Sequence, residues 1–365
     1  MIHLSQPDAP VDNRIDLKSL NRDALEAFAR EHGEPAFRGR QLFRWLYSRR
    51  ASSFDEMTDL PKRFRALLQD VAEIRGIEIA SRQSSEDGTI KSLFRLSSGR
   101  EIETVLIPDF GPDGDPTRLT VCVSSQVGCA MACTFCATGM MGFQQNLTAG
   151  EIFDQVAAMD DEAQTTYGRG ITNVVFMGMG EPLLNYNSVL LSLDALTSED
   201  GFGLSPRRIT VSTVGLARRI RQLADDGFRA NLAVSLHAPS DEKRSSIMPV
   251  NRAAATDLDA LRGALKYFID HTGRHVTYEY CLFAGVNDSL DDAKALARFA
   301  RDVPGKVNLI MYNPVAGLPF ARTSEGDLNR FIRALLDGGI TVTVRRSRGQ
   351  DIDAACGQLA VRPNG

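Results

Sequence analysis

Apolar residues change their period as the chain proceeds, and the changes divide it. Over residues 17–30, Leu20, Leu25, Phe28 and Ala29 recur at helical spacing, and residues 33–35 end the pattern. Two more short helices are predicted at 39–49 and 61–71, the second with Pro61 suited to a first helical turn. From Gly76 the period shortens to two. Ile77 and Ile79 alternate with polar residues, Asp87-Gly88 marks a turn, and Leu93, Phe94 and Leu96 lie in a second extended run. Ser98-Gly99 turns the chain into a third run at 102–107, which Pro108 is expected to stop. A loop at 109–117, rich in Gly, Pro and Asp, leads to a strand at 119–123.

Beyond residue 148 strand-like and helical runs alternate. Thr148 and Glu151 form a capping-box pattern for a helix to about residue 159. Strands are predicted at 171–177, 209–212, 230–236, 276–281 and 307–311, with the clearest helices at 188–196, 216–225, 258–271 and 290–301. Counting 119–123 first gives six βα units, the pattern of a parallel sheet covered by helices. Residues 340–344 offer a further strand. By alternation alone, an open doubly wound sheet fits as well as a partial barrel.

Composition adds little to this picture. Hydrophobic residues make up 43% of the 365 positions and charged residues 24%, ordinary values for a chain with a full core. No run of about 18 apolar residues is present, and residues 1–16 are polar rather than signal-like, so no membrane span is expected. Clustered cysteines without framework spacing fit a reducing cytoplasm. The net charge of −4 hides a local excess. Between residues 37 and 65 the basic side chains Arg38, Arg40, Arg44, Arg49, Arg50, Lys62, Arg63 and Arg65 face only Asp55, Glu56 and Asp59, leaving +5. Interleaved with Phe37, Phe43, Trp45 and Tyr47, they suit phosphate contact with base stacking, or equally a solvated helix face over an aromatic core stripe.

The cysteines change the picture most. Four of six fall within residues 122–136, and Cys129, Cys133 and Cys136 have the spacing C-x3-C-x2-C. Three thiolates on a short loop can bind three irons of a cubane cluster and leave the fourth for a ligand that is not protein. Structural zinc normally wants four ligands and no fourth lies near; redox thiols usually come as C-x-x-C alone. Polar residues also fall at successive strand ends, where barrel loops converge. They are Gly180 and Glu181 in Gly-Met-Gly-Glu-Pro, Ser212, the run Ser235-Leu236-His237, and Asn313. Singly, each reads as a satisfied loop residue. Cys281 ends an apolar strand and reads as core, while Cys122 stands apart from the triplet and Cys356 lies near the C-terminus.

The three-cysteine loop resembles the signature of the radical S-adenosylmethionine superfamily. The runs Gly-Cys-Ala-Met-Ala-Cys-Thr-Phe-Cys-Ala-Thr-Gly, Met-Gly-Met-Gly-Glu-Pro-Leu-Leu-Asn-Tyr, Val-Ser-Leu-His-Ala and Arg-Gly-Gln-Asp-Ile-Asp-Ala-Ala-Cys-Gly-Gln-Leu together resemble the RlmN family. Those enzymes methylate carbon 2 of an adenine in 23S ribosomal RNA and in certain transfer RNAs. The resemblance implies an α/β fold, a partial (β/α)6 radical-SAM barrel with an N-terminal small helical domain and a β-hairpin extension. It divides the chain into a basic RNA-binding helical domain (1–73), the hairpin extension (74–117), the barrel (118–345) and a C-terminal active-site tail (346–365).

By the same resemblance, Cys129, Cys133 and Cys136 hold a [4Fe-4S] cluster. Gly180, Glu181, Ser212, Ser235, Leu236, His237 and Asn313 contact S-adenosylmethionine. Cys356 carries the methyl group, Cys122 resolves the intermediate through a transient disulfide, and Glu103, in Ile-Glu-Thr-Val, matches the position of the proton acceptor, the ring proton passing to Glu103 or to Cys122. Two molecules of S-adenosylmethionine serve each turnover, one to methylate Cys356 and one to activate that methyl group by radical chemistry. The implied partners are ribosomal and transfer RNA and an external electron donor of flavodoxin or ferredoxin type, with the enzyme a monomer. Cfr-like enzymes, which methylate carbon 8 of the same adenine, share all five functional cysteines and remain the alternative.

Overall fold

A computed structural model describes residues 14–253 and 256–361. The first 13 and last four residues of the proposed N-terminal domain and C-terminal tail lie outside the described residues.

The chain begins with β1 (Ile15–Asp16), followed by helices α1 (Arg22–Glu31), α2 (Phe37–Tyr47) and α3 (Lys62–Val71), and β2 (Ala72–Glu73) pairs in parallel with β1. Asn21 caps α1 by accepting from the Ala24 N–H. Phe43, Trp45 and Tyr47 of α2 are buried, so this aromatic stripe packs core, and Phe37 alone of the four is well exposed. The excess of arginines is balanced by acids from outside their own segment. Arg40 pairs with Glu26, Arg63 with Glu34, Arg44 with Asp200, and Arg50 with Asp160 and Asp161.

Strands β3 (Glu78–Ser84), β4 (Ile90–Arg95), β5 (Glu101–Phe110) and β6 (Pro116–Cys122) form an antiparallel meander. Contrary to expectation, Pro108 does not stop β5. It sits opposite Leu119, whose N–H and C=O both bond the Thr172 hydroxyl on the other side, so the missing proline N–H leaves no partner unpaired. A small hairpin of β7 (Gln126–Gly128) and β8 (Phe143–Asn146), absent from the sequence reading, encloses the cluster loop together with α4 (Ala137–Met140).

Then follow α5 (Ala149–Tyr167), β9 (Asn173–Phe176), α6 (Tyr186–Thr197), β10 (Ile209–Thr213), α7 (Ala217–Asp225), β11 (Asn231–Ser235), α8 (Asp241–Ile247), α9 (Val250–Ala253), α10 (Leu258–Thr272), β12 (Val276–Leu282), α11 (Leu290–Asp302), β13 (Gly305–Met311), α12 (Glu325–Asp337) and β14 (Val342–Arg345). The expected capping box of α5 forms, with Thr148 and Glu151 bonding each other's backbone N–H. The sheet runs β14-β13-β12-β11-β10-β9-β6-β5-β4-β3, parallel from β6 to β14. It does not close: β14 and β3 are its free edges. This is an α/β fold in which six βα units, and β14 as a further strand, make a partial barrel. Among the described residues, no helix is long and apolar enough to cross a membrane.

Candidate active site

Successive side chains of a strand point to opposite faces, so alternate residues of the parallel strands line the interior. At its carboxyl end they meet the loops. A cleft there, with about 930 Å³ of space free of protein atoms, is lined by Cys129, Cys133, Cys136, Gly180, Glu181, Ser212, Ser235, His237, Cys281 and Cys356. Eight of the residues singled out for the cofactor and cluster thus share one space with the distant Cys356. Cys281 is buried as expected but turns toward the cleft rather than away from it. Leu236 is fully buried and does not line the cleft; its N–H donates to the Glu279 carbonyl at 3.0 Å. Asn313 lines an adjoining cavity instead, where its amide donates to the Cys356 carbonyl at 3.2 Å.

Burial raises the pKa of all three cluster-loop thiols, Cys129 to about 12. Left as thiols they are poor ligands; a bound metal stabilises the thiolate outright. No group of three His, Cys, Asp or Glu side chains among the described residues converges on a single-ion site. A cubane binds each thiolate to a different iron, so its cysteines need only surround a common space, as these do. The fully buried Arg244, which the sequence reading missed, lies close enough to Cys133 for the two charges to interact. Its guanidinium donates to the Asn251 side chain and to the Thr256 and Val214 carbonyls, not to a carboxylate. It can therefore offset negative charge gathered on the loop. Nothing in the sequence around Arg244 distinguishes it from an exposed helical arginine.

Glu181 is held in place by three contacts. Its carboxylate accepts from the Leu183 N–H at 3.0 Å and the Val214 N–H at 2.8 Å, and its own N–H donates to Gln126 at 2.9 Å. Gly180 precedes it at φ +98°, and a Cβ there would lie 2.5 Å from Gln126 Cβ. Burial raises the Glu181 pKa to about 7 against those hydrogen bonds. A buried carboxyl with few cations around it suits a ligand ammonium group. Burial lowers the His237 pKa to about 3, so the ring is neutral; its Nδ1 accepts from the Cys281 N–H at 3.0 Å, which places the proton on Nε2.

The adjoining cavity is lined by Cys122, Met177, Arg345, Arg346, Cys356 and tail residues, so Cys356 belongs to both spaces. Arg345 also lines both. The Cys356 sulfur, then Glu279 and Cys122, raise its pKa against burial. Burial pushes the Cys122 thiol up to about 12, Cys356 adds to that, and Arg345 opposes it. Glu103 lines neither cavity. It lies on the β5 face that carries Val105, the partner of Cys122, and its oxygens are taken by Lys91 at 2.9 Å and the Ala360 N–H at 2.9 Å.

Comparison with known proteins then identifies the chain. A model of the ribosomal RNA large subunit methyltransferase N-terminal domain matches residues 15–74, and one of the radical SAM superfamily matches 123–300. A probable dual-specificity RNA methyltransferase RlmN of Salinibacter ruber is 62% identical over 349 residues, covering 96% of this chain and 95% of that one. The chain belongs to the RlmN family of dual-specificity RNA methyltransferases. Another family protein, from Nitratidesulfovibrio vulgaris, is 47% identical over 351 residues, covering 94% of each chain. The crystal structure of a radical SAM methyltransferase from Sphaerobacter thermophilus superposes with a TM-score of 0.85 at 47% identity, covering 94% of this chain and 99% of that one. As a radical-SAM enzyme, a member of the RlmN family works with a [4Fe-4S] cluster and S-adenosylmethionine, and the cleft has the thiols and the buried carboxyl that such a pair requires.

The Glu181 carboxyl gives a measurable consequence. With the Glu181 pKa near 7, S-adenosylmethionine affinity is expected to fall as pH drops from 8 to 6, because binding an ammonium then requires loss of a proton. Glu181→Gln is expected to weaken binding by at least about tenfold and to abolish this pH dependence, read by calorimetry on the reconstituted protein. Parallel pH profiles for the two proteins would remove Glu181 from ammonium binding.

Proposed function

We propose that the protein methylates carbon 2 of an adenine in 23S ribosomal and transfer RNA, with Cys356 as the methyl carrier and Cys122 as the thiol that releases the product. The observation that supports this best is the placement of Cys356. It lines one cavity with the three cluster-loop cysteines and Glu181, and another with Cys122, which is more than two hundred residues distant in sequence. A lone structural thiol has no need of either neighbour. The near-full-length likeness to RlmN enzymes favours carbon 2 over the carbon 8 chemistry of Cfr-like enzymes.

Cys129, Cys133 and Cys136 would hold the cluster, and Glu181 would take the ammonium of S-adenosylmethionine beside Gly180, Ser212, Ser235 and His237, with Leu236 and Asn313 bracing the site from behind. When bound, cluster and cofactor supply a methyl group to sulfur and the one-electron chemistry that an unreactive aromatic carbon demands, consuming two molecules of S-adenosylmethionine per turnover. An external flavodoxin- or ferredoxin-type protein supplies the electron.

The chain's own residues do the rest. Cys356 presents its methyl carbon to an adenine drawn out of its stack, at a cost of a few kcal/mol. Glu103 accepts the ring proton, which requires the tail at Ala360 to loosen its hold on the carboxylate. Its pKa is raised by burial, against Lys91, and that favours proton uptake. The Cys122 thiolate then attacks the Cys356 sulfur. The new S–S bond forms as the sulfur–carbon bond breaks, the electron pair passes to the departing carbon, and a proton completes the methyl group. The one unpaired electron left by radical addition leaves the adduct as a one-electron oxidation, and two electrons from the external donor return the Cys122–Cys356 disulfide to thiols for the next turnover. Arg345, beside both sulfurs, makes the Cys122 thiolate easier to form.

Nucleoside analysis of RNA treated with the reconstituted enzyme and a reductant is expected to show 2-methyladenosine; 8-methyladenosine would favour the Cfr-like reading. Cys122→Ala is expected to stop the reaction after one event, as a stable covalent protein–RNA adduct visible by denaturing electrophoresis. Release of methylated RNA by that variant at the normal rate would exclude the resolving role.

A further inference from the structure

The interior of the partial barrel is not packed as closed barrels are, with layers of branched apolar side chains. Below the catalytic layer its lining is largely polar: Thr120, Thr210, Thr277, Asn308 and Thr343, with the carboxyl-bearing Asp109 and Glu279, face one space of about 1380 Å³. That space shares Arg345 and Met177 with both cavities at Cys356. It also shares Arg118, Thr210, Thr277 and Lys306 with a wide opening at the amino ends of the strands. Cavities therefore succeed one another along the barrel, each sharing lining residues with the next.

The two ends differ. At the carboxyl end the tail is fastened across the cleft: the Ala137 N–H donates to the Gly357 carbonyl at 2.8 Å, the Thr138 hydroxyl to the Leu359 carbonyl at 2.6 Å, and the Ala360 N–H to Glu103. The open side of the barrel is crossed by Arg348 and Asp109 at 3.6 Å, and the tail is tied to the meander by Ser85–Asp351 at 2.6 Å. The amino end is open. Its rim carries Arg118, Arg207, Arg208, Arg274 and Lys306, and no Asp or Glu lines it. In a chain of net charge −4 this is a marked segregation. The arginines of the helical segment are largely paired with carboxylates, whereas Arg207, Arg208 and Lys306 make no ion pair among the described residues.

We propose that the RNA docks on the amino end of the barrel, with the phosphates beside the target adenosine held by Arg118, Arg207, Arg208, Arg274 and Lys306, and the extruded adenine passing up the threonine-lined interior to Cys356. The inference rests on the RNA methyltransferase reading above and adds the route and the phosphate site. From the Thr277–Lys306 level to the Cys281–Ile310 level the strands advance four residues, about 13 Å, a span that one nucleotide and the reach of an arginine or lysine side chain cover together. Hydroxyl and amide groups along these cavities can bond a base edge without fixing its orientation. The rim neutralises phosphates and carries no sequence information, which suits an enzyme acting on two kinds of RNA.

The test is binding of an RNA stem-loop with an unpaired loop adenosine to the reconstituted holoenzyme over a range of salt. The triple variant Arg207→Ala/Arg208→Ala/Lys306→Ala is expected to bind at least about tenfold more weakly near 0.1 M salt, with a log–log salt slope shallower by about 2. S-adenosylmethionine affinity, which reports an intact cleft, is expected to stay at the wild-type value. Arg207→Lys/Arg208→Lys is expected to keep the wild-type slope, and the single exposed change Arg207→Glu to weaken RNA binding in the same sense. Unchanged RNA affinity and slope in both the triple variant and Arg207→Glu would overturn the proposal while leaving the methyltransferase reading intact. A wild-type enzyme that binds RNA with the expected slope but leaves no methyl group on it would do the reverse.

Discussion

The fastening of the C-terminal tail across the carboxyl ends of the parallel strands is the constraint on which the site depends. Cys356, nine residues before Gly365, has no strand or helix to place it. Here its position follows from hydrogen bonds on either side: Gly349 N–H to Asp87 at 2.9 Å, Asp351 to Ser85, Gly357 to Ala137, Gln358 to the Pro314 carbonyl at 3.0 Å, and Ala360 to Glu103. The partners come from four places: the β3–β4 turn with Ser85 and Asp87, β5 with Glu103, α4 with Ala137, and the turn after β13 with Pro314. Together they hold Cys356 where two cavities meet. Weaken them, and the thiols lose their common space though every strand survives.

The same fastening ties structure to electrostatics. Burial drives the thiols of Cys122, Cys129, Cys133 and Cys136 and the carboxyls of Glu103 and Glu181 toward their neutral forms. Arg244 beside Cys133 and Arg345 beside Cys122 and Cys356 are the counterweights. Sulfur chemistry that needs thiolates can thus proceed in a covered cleft, because a guanidinium stays charged where a lysine ammonium would more readily lose its proton.

Much of the barrel could be read from the chain alone, because buried parallel strands are short runs of Val, Ile and Leu and amphipathic helices lie between them. Ile209–Thr213 and Leu290–Asp302 fall within a residue or so of expectation. Local rules failed where a partner distant in sequence decided the outcome. Pro108 continues a strand because Thr172 satisfies its neighbour, and the arginines of Phe37–Tyr47 and the residues after it meet acids as far away as Asp200. Trp45 could equally have been a stacking platform until the packing of the helices buried it. The site followed the same division. The cysteine triplet announces itself by spacing, whereas Arg244 and the cationic rim at Arg207 and Arg208 exist only once the strands are assembled.

Cys356 is the group proposed to receive the first methyl, and everything downstream depends on that transfer. Incubating the reconstituted protein with S-adenosylmethionine bearing a labelled methyl group, then mapping its cysteine peptides by mass spectrometry, tests this without any RNA product. The label is expected on Cys356 and on none of Cys122, Cys129, Cys133, Cys136 or Cys281. A protein that transfers methyl groups to RNA while Cys356 remains unlabelled at every stage would contradict it.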